Sequence, residues 1–231
     1  MRFVKAFAAA LVAAVLMYPS APTRAERQDA DKKVAGGGVT VKGWQGKADS
    51  GNRQGLTVND SKFAPEGKGF RLTTGPAALY WNPANVGKGD FTVKSTFTEP
   101  KQTYNHAHPF GVFIGGSALD TDAPNALYCV AYRNGNYTVR GFSAGKPFGV
   151  VRKPVPHEAV KKAGGPEEEV VQEVAWNVKG DKLECVVNGT AVWSGTKADV
   201  TGEGKIPSTD GITGIRVSHN SDALVTGFSV K

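Results

Sequence analysis

LYCVAYRNGNYTVRGF, residues 127–142, decides the fold class of this chain. Two runs rich in Val, Tyr and Phe flank the pair Asn134-Gly135. This pair is typical of a two-residue β-hairpin turn, because Asn and Gly tolerate the positive φ that such a turn needs. The stretch therefore predicts an antiparallel hairpin at the centre of the fold.

A two-residue turn also predicts which side chains share a face of the hairpin. It sets Val130 opposite Val139, so that the more apolar face, expected to point to the core, also carries Tyr128, Tyr132 and Tyr137. The other face carries Cys129 and Arg140. A one-residue bulge would exchange the two faces, since side chains alternate along a strand.

The rest of the sequence predicts an all-β protein. Short β-rich runs are separated by Gly, Pro, Asn and Asp, and residues 91–97 alternate between apolar and polar. Residues 111–115 are apolar on both faces, which predicts a central strand whose second face is covered by a neighbouring layer or by a ligand. Asn188-Gly189 predicts a second tight turn, and residues 154–163 the one short helix, beginning after Pro156.

The N-terminal region has the pattern of an exported bacterial protein. Residues 1–25 combine early basic residues, an apolar run and a small-residue end, which predicts a secretory signal peptide. Residues 26–38 predict a flexible linker, and residues 39–231 a single β-sandwich domain. The expected location is the periplasm or the extracellular medium.

The charge of the chain disfavours some partners. The net charge is +7, and +4 remains without residues 1–25. Because the basic residues are scattered and no RNA- or DNA-binding motif is visible, we expect no nucleic-acid partner. No segment after the signal peptide is long and apolar enough to predict a membrane span. The sequence does not indicate an oligomeric state.

The order of motifs from residue 91 onward resembles a known fold family. DFTVKSTF, GVFIGG, YCVAYRNG, WNVKGDKLECVVNG, DGITGIRV and GFSVK follow one another as in concanavalin A-like, laminin G-type domains. The resemblance implies a two-sheet antiparallel jelly-roll sandwich. The chain is also similar to uncharacterised exported bacterial proteins related to 3-keto-disaccharide hydrolase domains, which implies sugar handling without assigning residues.

The sharpest polar motif is YNHAHPF, residues 104–110, directly before the central strand. In an extended backbone His106 and His108 project to the same side, where both can bind one divalent transition metal. His219 or His157 would be the third ligand. The alternative is that the two histidines are ordinary loop residues.

A second candidate metal site is the loop DTDAPN, residues 120–125. Its Asp120, Asp122 and Asn125 offer the oxygen ligands that calcium prefers, although acidic residues are also common in solvated turns. No metalloprotease motif, nucleophile elbow, phosphate-binding loop or glucanase acidic motif is present. The sequence thus carries no catalytic signature; an enzyme would resemble a glycoside hydrolase.

A glycan site needs an aromatic side chain to stack on the sugar and a few oriented polar groups. The predicted ligand-binding residues are Trp81, Asn82, Tyr104, His106, His108, Phe113, Arg140 and His219. Trp44, Trp176 and Trp193 are interpreted as core aromatics.

The two cysteines, Cys129 and Cys185, predict one disulfide in an exported chain. Cys185 shares a face with Leu183 and Val187 and so points inward, whereas the hairpin register points Cys129 outward. A bridge therefore requires either that the two strands are neighbours in one sheet, or that a bulge turns Cys129 inward and exposes the three hairpin tyrosines.

The leading hypothesis is an exported domain that binds a glycan or small sugar beside the residue 106–108 loop and the Cys129/Arg140 face. The enzymatic alternative is hydrolysis or elimination on an oxidised sugar, with a histidine as base or metal ligand. The third is a non-catalytic envelope interaction protein.

Overall fold

Two antiparallel sheets pack face to face in the computed structural model, which describes residues 30–52 and 54–231. The predicted signal peptide, residues 1–25, lies outside the described residues, as does the beginning of the predicted linker. Within the predicted linker, backbone hydrogen bonds run from Val34 N to Asp60 O and from Gly38 N to Ser61 O.

The first sheet has eight strands, in the spatial order β1-β3-β4-β15-β6-β11-β12-β13. Among the strands of the described residues, only β1 and β3 pair in parallel. Its strands are β1 (Gly38–Val39), β3 (Lys62–Glu66), β4 (Gly69–Thr73), β6 (Phe91–Glu99), β11 (Val170–Lys179), β12 (Lys182–Val187), β13 (Thr190–Thr196) and β15 (Asp222–Val230).

The second sheet has seven strands, in the order β10-β9-β8-β7-β14-β5-β2. Its strands are β2 (Gln45–Ala48), β5 (Ala78–Gly87), β7 (Pro109–Ser117), β8 (Asn125–Tyr132), β9 (Asn136–Ser143), β10 (Lys146–Pro156) and β14 (Gly211–Val217). The all-β, two-sheet sandwich predicted from the sequence is confirmed.

The short helix lies elsewhere than predicted. It is α1 (Lys197–Val200), and a 3₁₀ turn spans Val58–Asp60. Residues 154–156 instead continue β10, where Val155 pairs with Tyr137. Strand β10 ends at Pro156, and the chain then forms a turn instead of a helix, with His157 N donating to Gly135 O and Ala163 N donating to Arg133 O. Within the described ranges, no helix has the length and apolar character needed to cross a membrane.

Hydrophobic alternation builds the core between the sheets. Strand β6 alternates between buried and half-buried residues along its length, as predicted. Strand β7 is central and buried on both faces. On the side away from the first sheet, Phe113 is fully buried in a cluster that we call the outer apolar cluster. It consists of Leu79, Trp81, Phe113, Leu119, Ala126, Tyr128 and Val130.

The predicted register of the β8–β9 hairpin is wrong by one residue. Ala131 lies opposite Tyr137 and Cys129 opposite Val139, so residues 133–135 form a three-residue loop. Gly135 has φ of 88°, the left-handed conformation that closes such loops. Cys129 therefore faces the core, the reverse of the prediction, whereas Arg140 faces outward as predicted and now shares its face with Tyr128.

The burial of Arg133 explains why the loop has three residues and not the predicted two. This side chain is only 2% exposed. Its Nη2 donates to the carbonyl oxygens of Gly165 and Glu168, and its Nη1 lies 3.3 Å from Oε1 of Glu99. A two-residue turn would instead place Arg133 within the strand ladder, and these partners would be lost.

The inward turn of Cys129 allows the disulfide with Cys185, with a Cα–Cα distance of 5.6 Å. The predicted bridge is confirmed, and it joins the two sheets. The sequence left open that an inward Cys129 would turn the hairpin tyrosines outward. The structure has this orientation for Tyr128 and Tyr132. Tyr137 packs in the core.

Candidate functional site

A cleft of about 240 Å³ opens on the outer face of the seven-stranded sheet. It lies where β7 begins and β14 ends. Its lining residues are His106, Ala107, His108, Pro109, Tyr128, Val130, Tyr132, Thr138, Arg140, Arg216, Ser218 and His219. We refer to the space that these residues enclose as the cleft.

Topology brings three of the four histidines to one end of the cleft. His108 directly precedes β7, and His219 is the second residue after the end of β14. The two strands are antiparallel neighbours, with Val217 opposite Phe110. The start of one strand therefore lies beside the end of the other, and the two histidine rings are 4.5 Å apart, centroid to centroid.

His106 completes the cluster. Its Nε2 lies 3.0 Å from Nε2 of His108. The candidate ligand nitrogens of His106, His108 and His219 all lie within 4.8 Å of one another. Two imidazole nitrogens at about 2.1 Å from a tetrahedral metal are about 3.4 Å apart. The spacing of the three histidines is therefore compatible with binding to one ion.

The segment that begins at Asp31 packs against this cluster. A carboxylate oxygen of Asp31 lies 2.7 Å from Nδ1 of His219. Lys32 donates its backbone N–H to Oδ1 of Asn220, and its Nζ lies 5.1 Å from the centre of the Tyr104 ring. These contacts orient the His219 loop. With Nδ1 engaged by the carboxylate, Nε2 is the nitrogen of His219 that can bind a metal.

The loop that carries His106 is held from both sides. Thr103 donates its hydroxyl hydrogen to the carbonyl oxygen of Asn220, and Gln102 donates its side-chain amide to the carbonyl oxygen of Tyr104. The Tyr104 ring stacks on His108 at a centroid distance of 6.0 Å. The histidines are therefore fixed by a packed aromatic group and by loop hydrogen bonds.

Two tyrosines and two arginines form the wall of the cleft. Tyr128 lies opposite Arg140 in the hairpin. Arg216 lies over the ring of Tyr128, with 5.1 Å from its Cζ to the centroid, and forms a bidentate ion pair with Asp49 at 2.5 and 2.6 Å. Although burial opposes a charge here, the paired carboxylate raises the pKa of Arg216. Arg216 is therefore a fixed, neutralised cation.

Five of the eight predicted ligand-binding residues meet at this site. Tyr104 packs against the histidines, and His106, His108, His219 and Arg140 line the cleft.

The other three predicted residues lie apart from the cleft lining. Trp81 and Phe113 are buried in the outer apolar cluster, where they support the sheet. The Oδ1 of Asn82 accepts a hydrogen bond from the Ala84 N–H.

The remaining candidate ligands also lie elsewhere. The fourth histidine, His157, packs edge-on against Tyr137 and accepts a hydrogen bond from Ala159 N–H. Asp122 of the candidate calcium loop pairs with Lys47 at 2.9 Å. Asn125 uses its side chain on Ser117 and on the Ala144 N–H.

Sequence reasoning missed Asp31, Asp49 and Arg216. Each works through a partner more than a hundred residues away along the chain. No local signal marks such pairs. The two-residue turn predicts Tyr128 and Tyr132 on the core side of the hairpin. The three-residue loop places them on the cleft side instead.

The comparisons with known proteins bear on the fold. No protein-family model and no curated protein sequence matches the chain. Among solved structures, the carbohydrate-binding module CBM66 from Bacillus subtilis is 12% identical, with a TM-score of 0.56 over 82% of this chain and 95% of that one. A Bacillus subtilis protein of unknown function with a galectin-like fold is 13% identical, with a TM-score of 0.53 over 82% and 89%. The chain thus has the concanavalin A-like jelly-roll fold.

Proposed function

We propose that this protein is an exported domain that binds a glycan in the cleft. The observation that carries the proposal is the composition of the cleft wall. The half-buried ring of Tyr132 and the small exposed edge of Tyr128 offer apolar surface to the C–H face of a sugar, and Arg140 and the histidines offer hydrogen bonds to its hydroxyls. The fold shared with a carbohydrate-binding module agrees with this function as an analogy.

The same proposal includes a divalent transition metal at His106, His108 and His219. Imidazole nitrogens suit zinc, copper or nickel, whereas calcium prefers oxygen ligands. The Asp31–His219 contact supports the proposal, because metal-binding histidines commonly donate their second N–H to a carboxylate. An ion held by three histidines has an open position for a ligand oxygen.

Glycan binding is tested by a glycan array with the purified wild-type chain and the double variant His106→Ala/His108→Ala. We expect wild-type binding and its loss in the double variant. His157→Ala is the matched control, since this histidine lies outside the cleft. A blank array would favour the non-catalytic interaction protein instead.

The metal is tested by elemental analysis of the protein after exposure to zinc, copper, nickel or manganese and desalting. We expect about one equivalent of one metal in the wild type and in His157→Ala, and none in His219→Ala. Less than a tenth of an equivalent in the wild type would remove the metal from the proposal.

A second candidate function, cleavage of an oxidised sugar, is favoured by one observation. Three histidine ligands with an open position are also the ligand set of some catalytic zinc sites. A mechanism with two carboxylates has no support, because among the described residues none that lines the cleft is Asp or Glu. Turnover of 3-keto-disaccharides by the zinc-loaded protein, absent in His108→Ala, would establish this activity.

A further inference from the structure

The ionisable side chains that line the cleft are basic or aromatic, and the nearby carboxylates Asp49 and Asp31 pair with Arg216 and His219 from outside the lining. The cleft contains two arginines and three histidines, and no acidic residue of the described chain lines it. A bound divalent metal would add further positive charge, because neutral imidazoles do not compensate it. A cleft lined by charges of one sign focuses the electrostatic field and attracts ligands of the opposite charge.

Arg140 differs from Arg133 and Arg216, the two buried arginines described above. Arg133 pairs with Glu99, and Arg216 is neutralised by Asp49. Arg140 is half-buried at the cleft wall and forms no ion pair with any acidic side chain in residues 30–52 and 54–231. A partly desolvated guanidinium without a carboxylate partner favours an anion from solution.

A second arginine extends the basic surface beyond the cleft. Arg140 and Arg152 both pass over Gly149, where an added Cβ would lie 3.2 Å from Cγ of Arg140 and 2.9 Å from Cγ of Arg152. The bare backbone of Gly149 therefore lets the two stems lie side by side. Arg152 is exposed on edge strand β10 and also lacks an ion pair within the described ranges.

Tyr132 lies on the same wall of the cleft as Arg140, with the pair Val130 and Thr138 between them in the hairpin. Burial raises the pKa of the Tyr132 hydroxyl, and a hydrogen bond with Thr138 and, to a smaller extent, the positive charge of Arg140 oppose this rise. The hydroxyl therefore stays protonated at neutral pH. A protonated phenol can donate a hydrogen bond to a ligand that binds in the cleft.

From this arrangement we infer that the cleft selects an acidic saccharide, whose carboxylate or sulfate group binds Arg140 while the sugar ring contacts the tyrosines. The inference rests on the proposed glycan binding and adds the class of glycan. The guanidinium is planar and presents two parallel N–H donors, which match the two oxygens of a uronate carboxylate. Neutral sugars would leave the charge of Arg140 without a partner.

The test uses an array that contains uronate-bearing, sulfated and neutral glycans. We expect binding to be confined to acidic glycans, and the strongest one then serves as the probe in titration calorimetry. Arg140→Gln should weaken its binding about 10- to 100-fold, the usual effect of losing a charged hydrogen bond. Arg140→Lys should retain part of the affinity for a sulfated probe and less for a uronate, because an ammonium lacks the planar fork.

Arg152→Gln is the matched control, since it removes a neighbouring charge outside the cleft; we expect less than a threefold change. Equal or stronger binding of neutral glycans would overturn the inference while leaving the proposed function in place. A blank array would overturn both. An Arg140→Gln variant that folds as the wild type and binds the acidic probe equally well would also overturn the inference.

Discussion

Asp31 lies 2.7 Å from Nδ1 of His219, although the two residues are separated by 188 positions in the sequence. The beginning of the described chain therefore orients a histidine near its end. Neither residue lies within a regular strand or helix. The contact joins two irregular segments that the sandwich brings together.

Asp31→Asn is expected to lower the affinity for the metal about 10- to 100-fold, because the carboxylate orients His219 and increases its basicity. The measurement is zinc binding in competition with a chromophoric chelator. Asp120→Asn, which changes an exposed acid remote from the histidines, should bind zinc as the wild type does. Unchanged affinity in Asp31→Asn would show that the carboxylate has no influence on the ligand.

Asp49→Ala is expected to destabilise the protein by about 3 kcal/mol, because it leaves Arg216 in a largely buried position without its partner. Urea unfolding measures the loss. The double variant Asp49→Ala/Arg216→Met should recover part of it, since the uncompensated charge is then absent. If the double variant were less stable by the sum of both single changes, the pair would not be coupled.

Glu99 is expected to make stability depend on pH. Burial raises the pKa of Glu99 from 4.5 to about 7, and Arg133 only partly opposes the rise. The folded protein therefore holds this proton between pH 4.5 and 7 while the unfolded chain releases it. The contribution of Glu99 to stability is complete below about pH 4.5 and is lost as the pH rises through about 7, a total of roughly 3 kcal/mol.

The measurement is the free energy of unfolding at pH 5 and pH 8 in the wild type and in Glu99→Gln, which mimics the protonated form. The free energy of unfolding should decrease from pH 5 to pH 8 in the wild type, and the variant should lack most of this decrease. Glu203→Gln, at an exposed turn, is the control and should keep it. Parallel pH profiles for the wild type and Glu99→Gln would contradict the assignment.

The disulfide is expected to contribute about 2–4 kcal/mol, because it closes a long loop in the unfolded chain. Cys129→Ala/Cys185→Ala should show this loss in urea unfolding. Thiol titration of the unfolded, unreduced wild type should find no reactive cysteine. Two reactive thiols would contradict the bridge.

The strands and the pair of loop histidines could be predicted because their signals are local. The alternation from Phe91 to Phe97 and the turn at Asn188-Gly189 depend only on neighbouring residues, and both are present in the structure. His106 and His108 were recognised by their spacing. Their approach to His219 depends on β7 and β14 being neighbours, which is a property of the sheet order.

The hairpin register could not be predicted because the deciding residue acts over a long range. Asn134-Gly135 favours a two-residue turn locally, but Arg133 gains buried partners around residues 165–168 when the loop has three residues. The helix expected after Pro156 fails for a similar reason. The backbone N–H groups of His157 and Ala163 donate to the carbonyl oxygens of Gly135 and Arg133 in the hairpin loop, and such distant partners are not visible in the local sequence.

The three-residue loop has a consequence for how this surface can change by mutation. Deletion of Asn134 would shorten the loop to the length that the local sequence favours and would rotate one strand of the hairpin relative to its partner. One strand's outward side chains would then exchange places with its inward ones, so that either Cys129 or Val139 would face solvent. Point substitutions can adjust ligand preference gradually, whereas a single codon deletion at this loop would remove the cleft wall in one step.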